Sequence, residues 1–100
     1  MASRTERHHE QRISRLYVVK GRVQGVGYRY FAQTAAAQAG VTGWVRNRDD
    51  GAVESYATGT PAQLAEYSGR LRMGPRFGEV RSLEEIEAPL LQSDGFSIKH

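Results

Sequence analysis

Apolar residues in this chain alternate between a period of two and a period near 3.6, and each switch predicts a change of element. Leu16 to Lys20 is rich in β-branched and aromatic residues and predicts a first strand. Phe31, Ala32, Ala35, Ala36 and Ala39 then share one helical face. Gly40 follows as a left-handed cap, with Val41 placed to fold back on the last turn. Thr42 to Asn47 predicts a second strand, Asp49-Asp50-Gly51 a hairpin turn, and Ala52 to Thr58 a third strand with Val53 and Ala57 on one face and Tyr56 on the other. Thr60-Pro61-Ala62-Gln63 supplies an N-cap, a proline at the first helical position and a capping-box glutamine. The helix it opens has Leu64, Tyr67 and Leu71 as its buried stripe and stops at Gly74-Pro75. From Glu79 to Glu87 the alternation slips, because Val80 and Ile86 share a face that Leu83 does not, and a bulge near Leu83 would restore it. Phe96 and Ile98 alternate as a short terminal strand.

The predicted order is β-α-β-β-α-β plus a short C-terminal strand, an α+β, ferredoxin-like split βαβ plan with an antiparallel sheet and both helices on one face. Right-handed crossovers make strands one and two parallel, with strand three antiparallel between them. The C-terminal ends of strands one and two therefore face the same sheet edge, about 10 Å apart at two strand spacings. Residues 14–100 read as a single domain, and Met1 to about Ile13 as a flexible polar tail.

Composition narrows the chemistry. The 100 residues include no cysteine, so no thiolate nucleophile, disulfide or Cys-ligated metal site is expected, which fits a reducing cytoplasm. The histidines are His8, His9 and His100; no imidazole comes from the body of the domain unless the C-terminal segment folds back. The His8-His9 pair reads as solvated rather than metal-binding. Of the net charge of +3, the first fifteen residues carry +2, leaving a nearly balanced body that gives no support to a nucleic-acid partner. No segment has the apolar length of a signal peptide core or a membrane span. A cytoplasmic monomer with neither nucleic-acid nor membrane partners is the expectation.

One stretch stands apart. Lys20-Gly21-Arg22-Val23-Gln24-Gly25-Val26-Gly27-Tyr28-Arg29 leads from the first strand into the first helix. Gly25 and Gly27 can take positive φ, so the N–H groups of Gln24, Gly25, Val26, Gly27, Tyr28 and Arg29 can converge on one oxyanion, aided by the helix N-terminus. Arg29 in the first turn is unfavourable against the helix dipole unless an anion lies between them. On this loop alone, an anion cradle and a tight turn with a solvated arginine both stand. The topology adds Asn47, at the matching end of strand two, to the same edge.

At these residues the chain resembles the acylphosphatase family. Gly21-Arg22-Val23-Gln24-Gly25-Val26-Gly27-Tyr28-Arg29 is similar to that family's phosphate loop with its closing arginine. Gly43-Trp44-Val45-Arg46-Asn47, followed by Gly51, Val53 and Gly59, matches its second motif, and Gly74-Pro75 is a weaker third echo. The match covers Leu16 to Ile98. Tyr28 departs from the family's usual phenylalanine or methionine, and Gly78 from a common alanine. The resemblance implies a metal-independent hydrolase, without cofactor, that cleaves a small-molecule acyl phosphate. Inorganic phosphate would be its product and inhibitor. Arg29 would bind the phosphate, with Gln24 to Tyr28 as the loop around it, and Asn47 would position the attacking water.

Other readings remain beside this one. An RNA-recognition module shares the topology, but Ala52 to Thr58 offers one aromatic and a glutamate where such a module presents several aromatics and basic residues. A catalytically silent anion-binding domain shares the cradle. Trp44 and Tyr56 read as packing residues, and Asp49-Asp50 reads as turn chemistry rather than a carboxylate pair. Arg22, Arg46 and Arg48 either raise the local potential or are solvated.

Overall fold

The computed structural model describes residues 11–100, so most of the expected tail, with His8 and His9, lies outside the described residues. The elements are β1 (Ile13–Arg22), α1 (Tyr28–Ala39), β2 (Thr42–Asn47), β3 (Val53–Gly59), α2 (Pro61–Met73), β4 (Glu79–Ala88) and β5 (Phe96–Lys99). They form a five-stranded sheet in the order β4-β1-β3-β2-β5. β3 pairs antiparallel with both β1 and β2, which makes β1 and β2 parallel across it, as the crossover rule requires.

Both helices bury their apolar stripes in one core against one face of the sheet. From the sheet come Tyr17, Val19, Val45, Val53 and Ala57, from α1 the small residues Ala32, Ala35, Ala36 and Ala39, and from α2 the large Leu64, Tyr67 and Leu71. The alanines of α1 leave room for the tyrosines: Tyr67 meets Tyr17 and Phe96 edge-on, with ring centroids 5.6 and 5.9 Å apart. α1 ends as expected, with Gly40 in the left-handed region and the N–H groups of Gly40 and Val41 both donating to Ala36 O, at 2.9 and 3.0 Å. α2 begins on a complete capping box between Thr60 and Gln63.

Two features differ from the expectation. The sheet is mixed rather than wholly antiparallel, because β5 runs parallel to β2. The irregularity in β4 sits two residues earlier than predicted: Gly21 pairs with Val80 and Lys20 with Ser82, leaving Arg81 as the extra residue. That bulge turns both Val80 and Leu83 toward the core and leaves Ile86 exposed on the opposite face.

β4 and β5 lie at opposite edges, so the chain between them must cross a face of the sheet. It crosses the face away from the helices. Tyr56 donates its hydroxyl to Pro89 O, Thr58 Oγ1 donates to Leu91 O at 2.8 Å, and Leu91 N–H donates to Ser14 Oγ at 2.9 Å. This crossing delivers β5 to the side of β2, with Lys99 opposite Arg46.

Candidate active site

The loop after β1 is anchored by Val23, which is buried, and by the side chain of Gln24. Gln24 Nε2 donates to Arg48 O at 2.8 Å and to Ala52 O at 2.9 Å, tying the loop to the β2–β3 turn. Between these anchors and α1, Gly25 and Gly27 have φ of 77° and 79°. A Cβ at either position would meet nothing within 4 Å, so glycine is needed there for its backbone conformation rather than for space.

Gly27 is the N-cap of α1 and brings no side-chain cap, and the first turn holds no acidic residue. The first helical bond runs from Phe31 N–H to Gly27 O at 3.0 Å. Among the described residues, the N–H groups of Gln24 to Tyr30 donate to no backbone carbonyl outside regular helix or strand pairing. These unpaired donors and the helix dipole make the loop attractive to an anion. Arg29 is half-buried at its mouth. Its Nη1 donates to Lys99 O at 3.2 Å and lies 3.2 Å from His100 Nδ1. Nε and Nη2 make no hydrogen bond among the described residues and are left as a two-donor edge.

Asn47 closes β2 and pairs with Val53, which pairs in turn with Val19 of β1. Its carboxamide makes no hydrogen bond among the described residues. A pocket of about 150 Å³ is bordered by Gly25, Gly27, Tyr28, Arg29 and Asn47, together with Val23 and Tyr30. The predicted Arg29 and Asn47 thus face the same space. Gln24 borders an adjoining, more open pocket of about 520 Å³ with Arg29, Asn47, Arg48, Asp49, Lys99 and His100. Val26 packs on the core instead. Tyr28 turns its ring away from solvent: the residue is buried, its hydroxyl donates to Leu71 O at 2.6 Å, and burial raises its pKa far above the usual tyrosine range.

Most nearby charges are occupied elsewhere. Arg46 binds Glu54 at 2.7 Å, and Arg48 binds Asp50 at 2.7 Å. Asp50 also accepts from Ala52 N–H at 3.1 Å, and that bond, with Arg48 adding to it, lowers its pKa. Asp50 is turn chemistry, as expected. Trp44 and Tyr56 pack on each other with centroids 5.8 Å apart, outside the pocket. Among the described residues, no cluster of three or more His, Asp or Glu side chains is placed to hold a metal ion.

Sequence reasoning missed Lys99 and His100. The alternation of Phe96 and Ile98 marked a terminal strand without saying which strand it joins. Only the parallel pairing of β5 with β2 carries its end to Asn47 and Arg29.

The family model for acylphosphatase matches residues 15–98. The acylphosphatase of Solibacter usitatus is 55% identical over 86 residues, 86% of this chain and 90% of that protein. The acylphosphatase of Koribacter versatilis is 44% identical over 99 residues, 98% of this chain and 86% of that protein. The crystal structure of the Bacillus subtilis acylphosphatase superposes with a TM-score of 0.84 at 38% identity, covering 88% of this chain and 99% of that one.

Proposed function

This chain belongs to the acylphosphatase family, and we propose that it hydrolyses acyl phosphates by in-line attack of a water positioned by Asn47 on a phosphoryl group held by Arg29 and the loop amides. The observation that carries the reading is the one pocket bordered by Arg29, Asn47, Gly25 and Gly27, at a helix N-terminus without a side-chain cap.

An acyl phosphate is a carboxylic–phosphoric anhydride. When the bond from phosphorus to the acyl oxygen breaks, the electron pair leaves on a carboxylate that is stable at neutral pH, so no general acid is required. What remains for the protein is positioning and stabilisation of charge on the equatorial oxygens. Arg29 offers the planar, two-donor edge that a lysine lacks. The loop N–H groups are donors fixed before the substrate arrives. Asn47 is neutral and no strong base, but its side-chain carbonyl accepts from a water and holds it in line. As the water oxygen bonds to phosphorus, its proton passes to a phosphoryl oxygen, giving inorganic phosphate. No step calls on a metal ion or a covalent intermediate.

The test is hydrolysis of a simple aromatic acyl phosphate with a chelator present, beside a phosphate monoester. We expect the acyl phosphate to be cleaved, the monoester to react barely at all, and inorganic phosphate to inhibit competitively. Loss of activity to the chelator contradicts the metal-free mechanism, and purely noncompetitive inhibition by phosphate contradicts the shared site.

A further inference from the structure

We propose that Tyr30 is a specificity-determining residue, its ring a platform for the acyl group at the rim of the pocket, so that aromatic acyl phosphates are favoured over small ones. The inference rests on the reading of this pocket as the phosphoryl site.

The helix sets where the ring stands. Tyr28 opens α1 and is 2% exposed, while Tyr30, two residues on, is 73% exposed. Two residues turn a helix by about 200°, so the burial of Tyr28 in the core puts Tyr30 on the outward side of α1. Helical side chains lean toward the N-terminus, which here is the loop and its pocket. Tyr30 accordingly borders that pocket with Gly25, Gly27 and Arg29. Packing does not explain the ring: among the described residues it pairs with no other aromatic, and its hydroxyl has no hydrogen-bond partner. The helix dipole favours an acidic residue in this turn, yet the turn has none. A carboxylate beside the pocket would repel a phosphoryl dianion, whereas a neutral ring does not.

The reaction decides which part of the substrate meets the ring. In an in-line displacement the attacking water and the departing acyl oxygen lie on opposite sides of phosphorus. Asn47, the proposed holder of the water, belongs to the sheet, whereas Tyr30 belongs to the helical layer and faces outward. A water on the sheet side leaves the acyl oxygen on the helix side, where the ring stands. The pocket, about 150 Å³, is also small beside the roughly 300–1,000 Å³ of sites that enclose a whole small molecule. It takes the phosphoryl group and leaves the acyl group at its rim. A flat aromatic acyl group can pack on the tyrosine ring there in an offset stack, whereas a methyl group covers little of it. Met73 is as exposed as Tyr30 but borders a separate groove between α1 and α2, with Phe31 and Arg70.

The experiment measures kcat and KM for benzoyl phosphate and acetyl phosphate, and the inhibition constant of inorganic phosphate, in wild type, Tyr30→Ala, Tyr30→Phe, Met73→Ala and Arg29→Lys. Tyr30 is exposed and alanine suits a helix, so its variants do not threaten the fold. We expect Tyr30→Ala to lose about three- to tenfold in kcat/KM for benzoyl phosphate, the scale of one aromatic pair, and less than about twofold for acetyl phosphate. The contact is alike in the ground and transition states, so the loss falls on KM. Inorganic phosphate has no acyl group, and its inhibition constant is expected to stay unchanged. Tyr30→Phe keeps the ring and is expected to match wild type, as is Met73→Ala, which alters an exposed apolar residue outside the pocket. Equal losses on the two substrates, no loss on benzoyl phosphate, weakened inhibition by phosphate, or a phenylalanine variant that behaves as alanine would each overturn the proposal. The same selective loss in Met73→Ala would overturn it too, by making the effect one of general surface apolarity. Arg29→Lys separates the two levels: if it keeps full activity, the reading of the phosphoryl site fails. If it loses about 100-fold on both substrates, as for a missing oxyanion donor, while the Tyr30 variants follow one of the overturning patterns, this inference alone fails.

Discussion

Tyr28 and Thr42 each bury a hydroxyl, with opposite consequences for stability. In α2 the carbonyl of Leu71 would accept from residue 75, but that residue is Pro75 and has no N–H. The Tyr28 hydroxyl fills the vacancy at 2.6 Å. This also accounts for a tyrosine where the family usually has phenylalanine or methionine, since the ring packs as an aromatic must and the oxygen satisfies a helix end. Thr42 Oγ1, by contrast, is buried with no partner among the described residues. We expect Tyr28→Phe to destabilise by about 1–2 kcal/mol, because it strands a buried carbonyl. Thr42→Val, which removes an unsatisfied group at nearly constant shape, is expected to be neutral or stabilising. Thermal unfolding of the two variants beside wild type checks the signs. A lower Tm for Thr42→Val with an unchanged Tm for Tyr28→Phe would reverse the assignment.

At the scale of elements, local chemistry decides most boundaries. The Thr60 side chain accepts from Gln63 N–H at 3.2 Å, and Gln63 Oε1 accepts from Thr60 N–H at 2.9 Å, so two otherwise unpaired donors are satisfied at the start of α2. Thr60→Ala is expected to cost about 1 kcal/mol in urea unfolding without changing kcat, since α2 supplies nothing to the pocket. A change in kcat would couple α2 to the site. The same local signals explain what could be read from the sequence: the capping box, the Gly40 stop, the Asp49-Asp50-Gly51 turn and both helical stripes each have causes within a few residues. The misplaced bulge had no such cause. Leu83 showed that the period slips somewhere in β4, but the extra residue is Arg81 because β4 must pair with β1 across Lys20 and Gly21, and that pairing is not local. The partner of β5 was hidden for the same reason, and with it the route that brings His100 to Arg29.

At the scale of the molecule, the site is a consequence of strand direction. Arg29 and Asn47 are distant in sequence, yet one follows and the other forms the C-terminal end of strands that run parallel on either side of β3. Their meeting was legible because two right-handed crossovers admit one arrangement of the first three strands. The side-chain anchors were not: Gln24 spans from the loop to Arg48 O and Ala52 O, a contact that exists only once loop and hairpin are adjacent. The proposed chemistry divides between the two sides of this edge, with the phosphoryl group on Arg29 and the loop, and the water on Asn47. The most direct measurement is to determine kcat and the inhibition constant of inorganic phosphate for Asn47→Ala and Asn47→Asp, with circular dichroism to verify the fold. A contact with the water matters chiefly in the transition state, so alanine is expected to lower kcat strongly and leave phosphate affinity nearly unchanged. Aspartate, placing a negative charge near a phosphate dianion, is expected to weaken phosphate binding as well as turnover. Unchanged turnover in Asn47→Ala, or an equal loss of phosphate affinity in both variants, would contradict the account.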